Sequence, residues 1–204
     1  MSDSDDEDVP KLSAEALTAL NEFYAEKDQH KGPSEKFDEN WQLSQFWYDE
    51  ATTEFLAKEA IKAAGPSGNI GLISCPTLYP AVKLLATENN RIVLFEYDQR
   101  FSVYGSDFIL YDYKCPLDLP QKLADFFDLV VVDPPFLSEE CLTKTAITVK
   151  FLTKGNIILC TGAVMENLAK KLLNVRRCGF KPTHKNNLAN EFLCYTNYDM
   201  KSHS

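Results

Sequence analysis

From about residue 49 onward, apolar and polar residues follow two alternating patterns along the chain. Short runs rich in Val, Ile and Leu are typical of buried strands, whereas longer stretches with apolar residues every three or four positions are typical of helices. Strands are predicted at 69–74, 91–97, 108–112, 129–133 and 156–161. Helices are predicted at 49–64, 77–87, 120–126, 138–152 and 163–173. This alternation predicts an α/β fold built on a parallel sheet.

Two features predict the centre and the end of that sheet. The runs LVVVD (129–133) and NIILCTG (156–162) are apolar at both odd and even positions, as in central strands that helices cover on both faces. Near the C-terminus, the extended segments 175–182 and 191–198 are separated only by the polar loop THKNNLAN. Because this loop is too short for a crossover helix, the sheet is expected to end in an antiparallel hairpin.

The N-terminal part of the chain has a different character. Residues 1–10 contain five acids and no base, so like-charge repulsion and the lack of apolar surface predict a disordered acidic tail. Apolar residues at helical spacing predict a helix over 13–27, and a Gly-Pro-Ser break predicts a loop over 28–40. We therefore divide the chain into the tail, a helix and loop (11–40) and one folded domain (41–204).

Composition narrows the classes of partner. With 21 basic and 30 acidic residues the net charge is −9, opposite to the basic surface that binds phosphate backbones, so no nucleic acid is expected. There is no signal-peptide pattern and no apolar run near 18 residues, which predicts no membrane span. The six cysteines and three histidines lack metal-ligand spacing, so we expect no metal site and reduced, buried thiols. Together with the lack of a signal-peptide pattern, this predicts a cytoplasmic protein. His184, near the hairpin, is expected at the surface.

Candidate binding residues follow the predicted strands. In an open α/β sheet, ligands bind beyond the carboxyl ends of the strands. Glu96 ends the second strand, where a carboxylate can accept both hydroxyl protons of a ribose. Alternatively, Glu96 or Asp98 caps the next helix or pairs with Arg100. The other residues at these ends are Ser74, Cys75, Pro76, Tyr97, Asp112 and Tyr113.

The segment Asp133-Pro134-Pro135-Phe136 directly follows an apolar strand. The two prolines remove backbone donors and fix φ, which leaves carbonyl groups to face a ligand. The Asp133 carboxylate and the Pro134 carbonyl can each accept one N–H of an amine and so direct its lone pair toward an electrophile. Phe136 adds an aromatic face for the nitrogen or a nearby cation. The alternative is an ordinary tight turn with a core aromatic residue.

Several segments together resemble S-adenosylmethionine-dependent methyltransferases of the N6-adenine-methyltransferase-like family. They are FWY (46–48), SCP (74–76), FEYD (95–98), YDY (111–113), DPPF (133–136) and NLANEF (187–192). Within that family, the chain is similar to enzymes that methylate a lysine of elongation factor 1A. The resemblance covers about residues 41–198 and implies a Rossmann-like seven-stranded sheet with helices on both faces and a final antiparallel strand.

The resemblance also implies roles for individual residues. Asp133, Pro134 and Phe136 would position the target amine, and Glu96 would hold the cofactor ribose. The cofactor-binding residues it implies are Phe46, Trp47, Tyr48, Ser74, Cys75, Pro76, Glu96, Tyr97, Asp112 and Tyr113. The chain departs from the family fold in one place, because Ser74-Cys75-Pro76 stands where a Gly-rich turn usually lets the backbone approach the cofactor.

The implied reaction is direct transfer of a methyl group from S-adenosylmethionine to a lysine ε-amine of elongation factor 1A. A monomer is expected because the sequence shows no extended heptad pattern and no uncovered apolar strand. An acidic enzyme would attract a basic protein substrate. One alternative is methylation of adenine in DNA or RNA, against which stand the net charge of −9 and the lack of a Lys/Arg-rich stripe. The other is a non-catalytic module, prompted by the missing Gly-rich turn, against which stand the DPPF segment and Glu96.

Overall fold

The structure, a computed structural model, describes residues 37, 39, 45–186 and 190–200. Apart from Phe37, these residues belong to a compact unit, Glu39–Ser204. The predicted acidic tail and the first predicted helix lie outside the described residues, as does nearly all of the loop that follows them. The domain boundaries proposed from the sequence therefore stay predictions.

Four α-helices and seven strands form the described part of the fold. The helices are α1 (Glu50–Ala64), α2 (Leu78–Leu85), α3 (Glu139–Leu152) and α4 (Glu166–Leu173). The strands are β1 (Ile70–Ile73), β2 (Ile92–Glu96), β3 (Phe108–Leu110), β4 (Leu129–Val132), β5 (Asn156–Gly162), β6 (Arg176–Arg177) and β7 (Phe192–Thr196). Short 3₁₀ segments lie at Gln99–Asp107, Gln121–Leu123 and Ala163–Met165.

All seven strands form one sheet in the order β3-β2-β1-β4-β5-β7-β6. The first five strands are parallel, and β7 runs antiparallel to both β5 and β6. All four residues of β4 are buried, and this strand lies in the middle of the sheet, as its apolar run predicts. The fold is thus the predicted Rossmann-like methyltransferase sheet with a reversed last strand.

Helices cover both faces of the sheet. One face packs Ile73, Phe95 and Val132 into a cluster with buried residues of α3 and α4, such as Leu142 and Leu173. Side chains alternate between the faces of a strand, so buried neighbours of these residues, such as Leu72 and Leu94, point to the other face. There α1 and α2 pack against each other and contact β1, β2 and β4. Burial on both faces holds the strand ends in fixed positions.

Local hydrogen bonds set where α1 and α3 begin. The Asp49 side chain accepts the Thr52 N–H at 2.8 Å and caps α1, which ends at Gly65 with a φ of 81°. The Ser138 hydroxyl accepts the Cys141 N–H at 3.2 Å and caps α3 immediately after the DPPF segment. The Ser138 cap thus fixes how far the loop after β4 extends.

The structure corrects three elements. The helix predicted at 120–126 is a single 3₁₀ turn, Gln121–Leu123, because Ala124 is extended and Asp125 has a left-handed φ of 53°, so neither continues a right-handed helix. The connection from β2 to β3 contains a 3₁₀ segment that the sequence pattern did not predict, interrupted at Gly105 with a φ of 59°. The extended segment expected at 175–182 forms a strand beside β7 only over Arg176–Arg177, followed by one hydrogen bond from the Cys178 N–H to the Cys194 carbonyl at 3.0 Å.

The structure also bears on the expectations about the thiols, metal sites and membrane spans. All six cysteines are free; Cys75, Cys141, Cys160 and Cys194 are buried as expected, whereas Cys178 is half-buried and Cys115 is exposed. Among the described residues, no group of His, Cys, Asp or Glu side chains is arranged to hold a metal ion. In that same part of the chain, no helix combines the length and the apolar character needed to cross a membrane.

The turn between α3 and β5 provides a test of this packing. A Cβ atom at Gly155 would lie 2.3 Å from the Asp128 carbonyl oxygen, which is part of the backbone and has little freedom to move. We expect Gly155→Ala to lower the free energy of unfolding by about 1–3 kcal/mol, measured by chemical denaturation. The control is Gly179→Ala, where an added Cβ meets no atom within 4 Å and stability should change by less than about 0.5 kcal/mol. Equal stability of the two variants would contradict the packing described.

Candidate active site

A cavity of about 720 Å³ lies at the carboxyl edge of the parallel strands. Its walls come from the turns after β1 to β4, from residues 45–48 and from the chain between β6 and β7. Every site residue predicted from the sequence lines this one cavity: Phe46, Trp47, Tyr48, Ser74, Cys75, Pro76, Glu96, Tyr97, Asp112, Tyr113, Asp133, Pro134 and Phe136. Their individual roles stay predictions.

The turn after β1 is sharp although it contains no glycine. Ser74 has a φ of 54°, in the left-handed region that costs a non-glycine residue about 1–2 kcal/mol. The Ser74 N–H donates to the Phe95 carbonyl at 2.9 Å, and the Cys75 carbonyl accepts the Leu78 N–H at 3.1 Å. The backbone therefore makes a sharp turn between β1 and α2 beside the cavity. The departure from the family pattern concerns the side chains of this turn and leaves its tight path intact.

Glu96 faces the cavity at the end of β2 and is only 6% exposed. Its Oε1 accepts the N–H groups of Tyr97 and Asp98 at 3.0 and 3.1 Å. Burial raises the pKa of Glu96 to about 7, against the backbone hydrogen bonds, which lower it, and the charge of Asp98 adds to the rise. Two backbone hydrogen bonds thus orient the carboxylate at the carboxyl end of β2.

Asp98, rather than Glu96, caps the following 3₁₀ segment and pairs with Arg100, which was the alternative role considered for either acid. Its Oδ1 accepts the Arg100 N–H at 2.9 Å, and its Oδ2 lies 2.6 Å from Arg100 Nη2. Gln45 Nε2 donates to the same carboxylate at 2.9 Å. Asp98 therefore orders the segment after β2. Of these two acids, Glu96 is the one that lines the cavity.

Asp133 lies directly after β4, and its backbone N–H donates to the Ile73 carbonyl at 3.1 Å. Its Oδ2 accepts the Tyr48 hydroxyl at 2.6 Å. Burial raises the pKa of Asp133 to about 7; the Tyr48 hydrogen bond opposes this, and the charge of Glu96 adds to it. The cavity therefore contains two carboxyl groups that titrate near neutral pH and disfavour each other's ionisation.

Aromatic rings surround these acids and extend to the mouth of the cavity. The rings of Tyr113 and Phe136 lie 5.7 Å apart between centroids. Phe46, Tyr97 and Phe136 are 40%, 56% and 42% exposed, respectively. Carboxylates at the base and π faces on the walls suit a ligand that carries positive charge.

The expectation for His184 was wrong. It is half-buried, lines the cavity and forms an antiparallel backbone bridge with Tyr48. Its ring lies 5.0 Å from that of Tyr48 and 4.9 Å from that of Phe192, and burial lowers its pKa, although Asp49 and Glu39 oppose this. Because the loop around it is polar and aperiodic, no pattern in the sequence indicates this position.

Further cavity residues also escaped prediction from the sequence. They are Gln45, Thr77, Tyr111, Lys114, Pro135, Leu137, Asn190 and Phe192. Pro135, Leu137 and Thr77 adjoin predicted residues, so a wider window around each motif would have included them. Asn190 and Phe192 lie within the segment NLANEF, whose resemblance to the family indicated the segment but no role for its residues.

The strand order and the reversed last strand define the fold of the Rossmann-like methyltransferases. A Corynebacterium glutamicum protein of known structure aligns with 92% of this chain and 100% of its own, with a TM-score of 0.53 and 13% identity. A branched-chain polyamine synthase from Thermus thermophilus, in complex with N4-aminopropylspermidine and 5'-methylthioadenosine, aligns with 90% of this chain and 65% of its own, with a TM-score of 0.52 and 11% identity. At these identities the likeness concerns the fold alone.

Sequence comparison goes further. The profile of the family described as "Probable N6-adenine methyltransferase" matches residues 39–200, and the chain belongs to that family, as its motifs predicted. It is 54% identical to the mouse protein named EEF1A lysine methyltransferase 1 and 55% to the human protein of that name, covering 98% of this chain and 97% of theirs. A Caenorhabditis elegans protein-lysine N-methyltransferase is 44% identical, over 96% of this chain and 97% of its own.

The burial of Glu96 predicts how stability depends on pH. Since its pKa in the fold is about 7 and its ordinary value is 4.5, the folded state keeps a proton that the unfolded chain has lost between these pH values. This group therefore makes the protein less stable as the pH rises from about 4.5 to 7. Glu96→Gln removes the ionisable group while keeping an acceptor oxygen, and we expect it to stabilise the ligand-free protein at pH 8 by about 3 kcal/mol.

The measurement is chemical unfolding of both proteins at pH 5 and pH 8. The difference in stability should be smaller at pH 5 than at pH 8. Glu88→Gln, at an exposed glutamate, is the matched control and should have the wild-type free energy of unfolding at both pH values. If Glu96→Gln also had the wild-type free energy of unfolding at both pH values, the burial of a titrating carboxyl group at this position would be contradicted.

Proposed function

We propose that the protein is an S-adenosylmethionine-dependent protein-lysine N-methyltransferase that acts on elongation factor 1A. The observation that carries the proposal is the half-buried carboxylate of Asp133, followed by Pro134, in a cavity that Glu96 at the end of β2 also lines. In support, the mouse and human relatives at 54% and 55% identity are named for lysine methylation of that factor.

The residues of the cavity fit S-adenosylmethionine. A volume of about 720 Å³ lies within the range of about 300–1,000 Å³ that is typical of ligand pockets. Glu96 would accept the ribose hydroxyls, and the turn at Ser74 would let the backbone approach the ligand. Asp112 and Tyr113 would lie near the adenine, with Phe46 and Trp47 covering the cofactor. When bound, the cofactor supplies a methyl group on a positively charged sulfur.

The part of the cavity proposed to bind the target amine offers hydrogen-bond acceptors. The Asp133 carboxylate and the Pro134 carbonyl would each accept one N–H of the lysine ε-amine and so orient its lone pair. Phe136 would pack over the nitrogen. This arrangement favours a primary amine on a long flexible chain, since such a group can reach the base of a cavity.

A protonated lysine cannot attack a methyl group, so these residues must lower the pKa of the substrate lysine. A free lysine has a pKa near 10.4, so only on the order of one in a thousand is neutral at pH 7. The aromatic walls remove water and lower that pKa, which favours the neutral nucleophile. Asp133 acts in the opposite direction on the ground state, but it stabilises the positive charge that develops on nitrogen during transfer.

Electrostatics favours a protein over a nucleic acid as the substrate. The net charge of −9 would repel a phosphate backbone and attract a basic protein surface. The proposal also includes a cytoplasmic location, where an elongation factor would be met, and a monomeric enzyme.

Transfer of labelled methyl groups tests the proposal. Purified elongation factor 1A, a DNA and an RNA would be incubated separately with the enzyme and labelled S-adenosylmethionine. We expect label on lysine of the protein only. Asp133→Ala should lower kcat on the order of 100-fold, because a group that orients the amine and stabilises the transition state is lost.

Other outcomes would contradict the proposal. Label on adenine would indicate the nucleic-acid activity, and binding of the cofactor without transfer to any substrate would indicate a non-catalytic module. An Asp133→Ala enzyme with wild-type kcat would show that the DPPF segment does not position the amine.

The role of Glu96 is tested by cofactor affinity. Glu96→Ala removes the carboxylate that would accept the ribose hydroxyls, so the Kd of S-adenosylmethionine should rise about 10- to 100-fold, measured by calorimetry. The control Glu139→Ala, at an exposed acid outside the cavity, should keep the wild-type Kd. An unchanged Kd for Glu96→Ala would exclude this carboxylate from cofactor binding.

A further inference from the structure

Tyr48 is the most deeply buried residue of the FWY segment (46–48). Its side chain is only 2% exposed, whereas Phe46 is 40% exposed at the cavity mouth. The Tyr48 hydroxyl donates to Asp133 Oδ2 at 2.6 Å, a short, charge-assisted hydrogen bond when the acid is ionised. Tyr48 therefore contacts the residue proposed to orient the amine, in addition to lining the space proposed for the cofactor.

The backbone on both sides of Tyr48 is tied to the chain between β6 and β7. Tyr48 forms an antiparallel bridge with His184. The Lys185 N–H donates to the Trp47 carbonyl at 2.8 Å, and the Asp49 N–H donates to the Thr183 carbonyl at 3.1 Å. With the His184 ring against its own, Tyr48 has little freedom to move. The hydroxyl is thus presented to Asp133 by a rigid support.

We propose that Tyr48 is a positioning residue for methyl transfer, whose hydroxyl holds the Asp133 carboxylate in one rotation and leaves Oδ1 to accept the N–H of the target amine. This role rests on the proposed function and deepens it. The carboxylate torsion of aspartate is broad and about two-fold, so the backbone of Asp133 alone does not fix the carboxylate plane. The Tyr48 hydrogen bond supplies that restraint and aligns the amine for attack.

The same hydrogen bond favours the ionised, accepting form of Asp133. The groups that face this carboxyl are Tyr48, Glu96, Cys75 and Cys141. Glu96 raises the pKa of Asp133, and Tyr48 is the neighbour that lowers it. Burial raises the pKa of both thiols, so Cys75 and Cys141 are uncharged at neutral pH. Loss of the Tyr48 hydroxyl should therefore raise the pKa of Asp133.

Tyr48→Phe tests this role because it keeps the ring and removes only the hydroxyl. With elongation factor 1A as substrate, we expect kcat to fall about 10- to 100-fold, while the Kd of S-adenosylmethionine stays within about two-fold. The acid limb of the kcat–pH profile should move to higher pH. A second readout without substrate or cofactor is the titration of the Asp133 carboxyl carbon by NMR, which should show a higher pKa in the variant.

The matched control is Tyr79→Phe. The Tyr79 hydroxyl also donates to a carboxylate, Asp107 Oδ2 at 2.9 Å, but this pair lies outside the cavity. Tyr79→Phe should therefore keep the wild-type kcat and leave the titration of Asp133 unchanged. An equal fall in kcat in both variants would indicate a general effect on the fold and would overturn the proposal.

Three further outcomes are decisive. Wild-type kcat in Tyr48→Phe would overturn the positioning role, whether or not the pKa of Asp133 changes. A weaker Kd for the cofactor with unchanged kcat would assign Tyr48 to cofactor binding alone and would also overturn it. If the wild-type enzyme transfers no methyl group to elongation factor 1A, the proposed function fails, and the carboxyl titration then decides whether Tyr48 controls Asp133.

Discussion

The register of three parallel strands is the constraint on which the site depends. β1 lies between β2 and β4, with Ile73 paired to Phe95 on one side and to Val132 on the other. The residues that follow this row, Ser74, Glu96 and Asp133, therefore emerge at one edge of the sheet. A shift of any strand by one residue would turn its buried side chains to the opposite face, so the core that stabilises the register also aligns the site.

This alignment brings two carboxyl groups into one poorly hydrated space. Neither Glu96 nor Asp133 forms an ion pair with a lysine or arginine among the described residues, and burial raises the pKa of each to about 7. Such a cavity is costly to keep charged when it holds no ligand, and a cationic ligand would offset that cost. The hydrogen bonds from Tyr97 and Asp98 to Glu96, and from Tyr48 to Asp133, orient both acids.

The sequence predicts the parts of this structure that depend on local patterns. The apolar runs locate the central strands, and the motif after β4 together with the acid ending β2 locates both halves of the cavity. Prediction fails where the backbone leaves its local pattern or depends on distant contacts. The helical pattern at 120–126 stops at the extended Ala124 and the left-handed Asp125, and His184 enters the cavity wall only because the returning chain pairs with Tyr48. The hydrogen bond between Tyr48 and Asp133 likewise depends on tertiary packing, which no spacing in the sequence reveals.

The pairing of Tyr48 with His184 also has a consequence for the order in which the protein acquires its site during synthesis. The wall formed by residues 45–48 is synthesised before all seven strands, but the segment that holds it, and Phe192 on β7, follow β1 to β5 in the chain. The strands β1 to β4 can pair before that point, whereas the cavity cannot close. A nascent chain therefore completes its ligand-binding surface only after its parallel strands have been made, which separates folding of the sheet in time from the first binding event.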